Sequence, residues 1–149
     1  MTARLAILGL SVVLGCHGSS LLTSPQDDRV VVVDGPLTLT VTDFPAQMGV
    51  LWVAPTAEGG QGAVAAHAIR YGSLCALAVS GHAEVSANRV VLHVAFMPRT
   101  TLCVAEVRGL RYDAAIGGLA PGRYEVHILH DEGDGRAESE VRVQTVDVT

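Results

Sequence analysis

The chain has 149 residues, 49% of them hydrophobic and 17% charged. That is the length of one ordinary domain, with enough apolar surface for a real core and too much for intrinsic disorder. The formal charge is −5, and the basic side chains, all arginine, are scattered singly from Arg4 to Arg142, so no patch tracks a phosphate backbone and nucleic acid is not an expected partner.

At the N-terminus, Arg4 supplies a positive charge ahead of an apolar stretch from Leu5 to Leu14, broken only by Gly9 and Ser11, and Gly15 then precedes Cys16. These are the three parts of a secretory signal. About ten apolar residues are too few to cross roughly 30 Å of hydrocarbon as a helix, so the segment reads as one to be removed. Its last residues, V-L-G-C from Val13 to Cys16, resemble the lipobox of bacterial lipoproteins. The resemblance implies that the Cys16 thiol becomes a diacylglyceryl thioether, that the chain is cut just before it, and that the new N-terminus is acylated. Residues 1–15 are then a signal peptide, 16–28 a lipidated cysteine with a polar tether, and 29–149 a single folded domain. Each buried CH₂ contributes about 0.8 kcal/mol, so two or three acyl chains hold a protein firmly where one holds it marginally. The implied location is the bacterial cell envelope. His17 stands where an aspartate would favour inner-membrane retention, which points to the outer membrane.

Beyond the tether, short alternating apolar runs are broken by Gly, Pro and Asn, with no apolar stripe of helical period. This pattern predicts an all-β domain, with strands at 29–33, 37–44, 48–54, 74–85, 89–97, 101–108, 123–130 and 138–148. Two sheets must each hide one face, so a β-sandwich of about 7–9 strands, immunoglobulin-like or prealbumin-like and antiparallel, is the expected architecture. Asp34-Gly35-Pro36 reads as a tight turn. Residues 54–72 show no strand pattern and read as a surface loop, with a turn or two of helix at 63–70. Around Ala87-Asn88 a two-residue hairpin is expected. Its register sets Val85 opposite Val90, Ala83 opposite Leu92, Gly81 opposite Val94 and Val79 opposite Phe96 on one apolar face, and His82 opposite His93 on the other. In the last strand, Val141 and Val143 differ in parity from Val146 and Val148, which predicts a bulge near Gln144 or Thr145.

With Cys16 lipidated, Cys75 and Cys103 form an even pair in an oxidising compartment, where a disulfide is the first expectation. His82 and His93 are the best metal constellation, two imidazoles with Cβ atoms about 5 Å apart. Copper or zinc would need a third ligand, from His67, His127 or a carboxylate. His127 and His130 straddle both faces of their strand and cannot chelate together. In the acidic loop H-D-E-G-D-G, His130 to Gly135, the positions of an EF-hand's later ligands hold Gly133, Gly135 and Arg142, so it reads as a solvated turn. No G-x-S-x-G elbow, phosphate-cradling loop or H-E-x-x-H occurs, and neither catalytic residues nor a cofactor are expected.

The stretch G-L-A-P-G-R-Y-E-V-H-I-L-H-D-E-G-D-G, Gly118 to Gly135, resembles the penultimate hairpin of prealbumin-like and immunoglobulin-like bacterial modules, one family of which has unknown function. The same hairpin occurs in small periplasmic copper-binding sandwiches, whose metal ligands have no clear counterparts here. The resemblance implies the sandwich fold alone. The residues themselves place Tyr124, Val126 and Ile128 inward, with the Tyr124 hydroxyl closing back on upstream backbone as a tyrosine corner. The functional expectation is a non-enzymatic envelope lipoprotein, membrane-held through Cys16, that binds another envelope protein or component. Its alternative is a periplasmic copper- or zinc-binding module using His82 and His93.

Overall fold

The computed structural model describes residues 28–45, 53–73, 77–98 and 107–149. Among them nine strands form the domain: β1 (Asp28–Asp34), β2 (Leu37–Pro45), β3 (Val53–Gly60), β4 (Ala63–Ser73), β5 (Leu77–Ser86), β6 (Arg89–Pro98), β7 (Val107–Gly117), β8 (Gly122–Asp131) and β9 (Ser139–Val148). They make two sheets, ordered β1-β2-β7-β4-β3 and β5-β6-β8-β9. This is the all-β sandwich expected from the alternation. Neighbouring strands run antiparallel except β6 and β8, which are parallel. Residues 1–27, and with them Cys16 and His17, lie outside the described residues, as do Cys75 and Cys103.

The core is built by strands of period two. Leu37, Leu39 and Val41 of β2, Val64, Ala66 and Ala68 of β4, and Leu110, Tyr112, Ala114 and Ile116 of β7 face inward from one sheet. Val90, Leu92, Val94 and Phe96 of β6 meet them from the other, with Tyr124, Val126 and Ile128 of β8 and Val146 and Val148 of β9. Each Val, Leu, Ile or Phe among them contributes roughly 1.5–3 kcal/mol when fully buried. Gly81 on β5 makes room for the packing: a Cβ there would stand 3.0 Å from the Leu39 side chain and 2.9 Å from the His93 carbonyl.

One long side of the sandwich is closed where the edge strands β3 and β9 meet. A Cβ on Gly59 would collide with the backbone carbonyl of Asp147, so only glycine allows that approach. Gly62 N–H donates to the Thr149 carbonyl at 2.9 Å, and Thr149 N–H to the Gly60 carbonyl at 3.0 Å, stitching the last residue to the β3–β4 turn.

The β5–β6 hairpin has the expected register, with Ser86 opposite Arg89 and Val85 opposite Val90. Ala87 in its turn takes a φ of 47°, the left-handed conformation that a two-residue hairpin demands. The Tyr124 hydroxyl donates to the Ala120 carbonyl at 3.0 Å, closing the expected corner. Three local expectations are corrected. Residues 54–72 are neither loop nor helix but most of the β3–β4 hairpin, turning at Gln61-Gly62, where Gly62 has a φ of 62°. Its inward positions are mostly alanines, too weakly apolar to mark a period. Of the strands expected at 48–54 and 101–108, residues 48–52 and 101–106 lie outside the described residues; Val107 and Arg108 open β7, which runs on to Gly117 where no strand was expected. The irregularity of β9 falls at Val141, between the Ile128–Arg142 and Leu129–Glu140 pairs, and not at Gln144 or Thr145. Val141 and Val143 stay outside, 36% and 46% exposed.

Candidate metal centre

The outward face of the β5-β6-β8-β9 sheet carries His82 and Glu84 on β5, His93 on β6, Glu125 and His127 on β8, and Glu140 on β9. Outward and inward residues alternate along each strand, so the histidines occupy the face opposite the core residues Val90, Leu92 and Val126. Pairing sets His82 directly across from His93. Their rings stack at 4.1 Å between centroids and 7° between planes. Glu84 lies two residues beyond His82 and therefore on the same face. Its Oε1 is 4.0 Å from the Nε2 of His82 and 4.0 Å from the Nε2 of His93. One ligand atom from each of the three side chains falls within 4.8 Å of the others.

His93 is the best-held member of the set. Its side chain is only 16% exposed, and its Nδ1 lies 2.8 Å from Glu138 Oε2. A carboxylate accepts but cannot donate, so Nδ1 carries the proton and the Nε2 lone pair is left free for a ligand. That Nε2 atom is buried and makes no hydrogen bond. A buried ring nitrogen with no partner in the protein has its lone pair available to a ligand. The arrangement of carboxylate, imidazole and vacant nitrogen is the one that fixes tautomer and ring orientation at histidine metal sites. His82 and Glu84, with side chains 49% and 67% exposed, are free to rotate. Zinc–imidazole bonds of about 2.0–2.1 Å require the three donors to draw together by less than about 1 Å each.

The other histidines do different work. His67, on β4 in the opposite sheet, faces Thr56, whose hydroxyl is 2.9 Å from its Nε2. His127 shares the face of His93 but is clamped at both nitrogens, Nδ1 at 2.6 Å from Glu140 and Nε2 at 2.5 Å from Glu125. Both contacts need an N–H, so the ring is held as imidazolium, and the hydrogen bonds to Glu140 and then Glu125 raise its pKa. Neither His67 nor His127 joins His82 and His93; the group that stands with them is the carboxylate of Glu84.

His130 points the opposite way, into the core. Its Nε2 is 3.0 Å from the Tyr112 hydroxyl and its ring packs edge-on against Phe96 at 5.1 Å. Burial pushes its pKa down to about 4 and pushes that of the Tyr112 hydroxyl up. The carboxylates of the acidic turn are dispersed among separate tasks. Asp131 Oδ1 accepts from Gly133 N–H at 2.8 Å, Asp134 Oδ1 from Arg136 N–H at 3.0 Å, and Glu132 forms an ion pair with Arg70.

From the sequence, His82 and His93 were paired and a carboxylate was allowed as third ligand, but neither Glu84 nor Glu138 was named. The i, i+2 spacing from His82 carried the signal for Glu84. Nothing local announces Glu138, which stands 45 residues from His93 and reaches it only through the β8–β9 connection. No protein-family model matches the chain, and neither a curated protein nor a solved structure is similar enough to match it.

Proposed function

We propose that this domain is a non-enzymatic envelope module that binds one divalent transition-metal ion, copper or zinc, through His82, Glu84 and His93. The observation that carries the reading is the unpartnered, buried Nε2 of His93, whose tautomer Glu138 fixes, facing Glu84 and His82. Imidazole nitrogen suits both metals, and the general affinity order favours Cu²⁺ over Zn²⁺. Three protein donors leave a coordination position open to water or to an exchanging partner, as delivery to another envelope component requires. The test is a competition titration against a chromophoric chelator. Wild type takes up one Cu²⁺ per chain, more weakly one Zn²⁺, and His82→Ala loses most of that affinity. If wild type and His82→Ala compete equally, the site is not here.

The lipobox-like V-L-G-C supports attachment to the bacterial envelope through lipid on Cys16, with the outer membrane favoured by His17. In this reading Cys16→Ser leaves the protein unprocessed or soluble; a variant that still partitions into detergent with the wild type contradicts it. The hairpin resemblance supports an immunoglobulin-like or prealbumin-like assignment of the sandwich. A Cys75–Cys103 disulfide belongs to the same proposal. Its support is that Ser73 pairs with Val107 and Leu77 with Pro98, so the segments carrying the two cysteines leave one sheet and enter the other at paired positions.

A further inference from the structure

The inward alternation of β4 runs Val64, Ala66, Ala68 and then Arg70, so a guanidinium stands where the pattern asks for an apolar side chain. Charged groups are rarely placed toward a core unless paired. Arg70 lies at an open end of the sandwich, its guanidinium carbon 4.8 Å from the centre of the Phe96 ring, and its charge is met by Glu132 from the acidic turn after β8. Beneath it is a cavity of about 250 Å³ whose lining includes Ala68, Tyr71, Tyr112, His130 and Glu132 with Arg70. At about 30 Å³ per water molecule, that is room for a single-ring organic molecule. The walls divide into an apolar part, Pro55, Ala68, Ile69 and Val141, and a polar part formed by Arg70 and the hydrogen-bonded Tyr112–His130 pair.

We infer that this cavity is a binding site for a small organic carboxylate, whose ring or branched body enters the space above Ala68 and whose carboxylate replaces that of Glu132 on Arg70. A guanidinium presents paired N–H donors that match a carboxylate, and its planar face is already fixed on Phe96. Glu132 is then a stand-in for the ligand, delivered by the chain itself. With side chains 31% and 38% exposed at Arg70 and Glu132, their pair is weak enough to be exchanged. The cavity shares no residue with the metal-ligand set His82, Glu84 and His93, so neither reading depends on the other.

Benzoate is the probe, with benzyl alcohol as its neutral counterpart, followed by NMR at the His130 and Tyr112 resonances. Saturable shifts with benzoate are expected, weaker with benzyl alcohol. Glu132→Gln should bind benzoate about fivefold more tightly, because an internal competitor worth about 1 kcal/mol has gone. Ala68→Leu fills the cavity with a side chain the fold can tolerate, and should abolish binding while its melting temperature shows that it folds. Absence of saturable binding in both wild type and Glu132→Gln overturns the inference. So does equal binding of the alcohol, or benzoate binding that survives Ala68→Leu in the folded variant.

Discussion

The side chain of Gln144 on β9 bonds the backbone of Ala57 on β3 at both ends of its amide. Its Nε2 donates to the Ala57 carbonyl at 2.6 Å and its Oε1 accepts from the Ala57 N–H at 3.2 Å. It supplies to an edge strand of one sheet the bonds that a neighbouring strand would have supplied, and so helps close the sandwich. Gln144→Ala strips both groups of their partners at a half-buried position. A loss of about 2 kcal/mol in urea unfolding is expected, against little change for Thr145→Ala on the exposed face.

Glu138 touches no metal in this account; it holds His93 in the tautomer that frees Nε2. Glu138→Gln keeps the shape but removes the charge that favours a proton on Nδ1. Copper and zinc affinity should fall by about tenfold or more, the effect usual for such supporting carboxylates, while the unfolding midpoint of the metal-free protein changes little. Unchanged affinity would mean that His93 needs no orienting partner.

His130 and His127 bend the pH profile of stability in opposite senses. The folded pKa of His130, about 4, lies below its ordinary value of 6.5. Its contribution is therefore complete above pH 6.5 and drains away as pH falls toward 4, an effect on the order of 2 kcal/mol after allowance for partial solvation. For His127 the folded pKa is raised, so its contribution is complete below 6.5 and is lost as pH rises through the folded value. Histidine NMR titration should show His127 ionising above its ordinary value of 6.5, and Glu140→Gln should bring it down. Urea midpoints for Tyr112→Phe should keep the loss at acid pH, because burial and not the hydroxyl dominates at His130.

The cysteine pair makes a separate prediction. Mass spectrometry of the unreduced protein should find Cys75 and Cys103 unavailable to alkylation, and Cys103→Ser should cost about 3 to 4 kcal/mol from the loss of loop closure. Free thiols at both positions would remove the staple from the account.

What could be read in the sequence was whatever alternation declared. The register of the Leu77–Ser86 and Arg89–Pro98 hairpin was legible to the residue, because polar and non-polar positions alternate in step on both arms of a two-residue turn. The β3–β4 hairpin was not, because Pro55, Ala57, Ala66 and Ala68 carry its inward pattern and small side chains hardly register as apolar. The alternation of Leu110, Tyr112, Ala114 and Ile116 is plain once β7 is seen, and the expected strand merely stopped before reaching it. At β9 the shift in valine parity suggested a bulge near Gln144 or Thr145. Instead Gln144 keeps the inward parity of Val146 and Val148 and spends its side chain on Ala57, leaving Val141 and Val143 outside. At the candidate site, cross-strand pairing delivered His82 and His93, whereas Glu138 depends on tertiary geometry that no local pattern encodes.

The most direct test of the metal reading is nitrogen-15 spectroscopy of the imidazole rings during Zn²⁺ titration. The Nε2 resonances of His82 and His93 should shift together and saturate at one ion per chain, while His93 Nδ1 stays protonated and His67, His127 and His130 do not respond. Zinc that leaves His82 and His93 unmoved, or that shifts every exposed histidine in proportion without saturating, would contradict the metal reading.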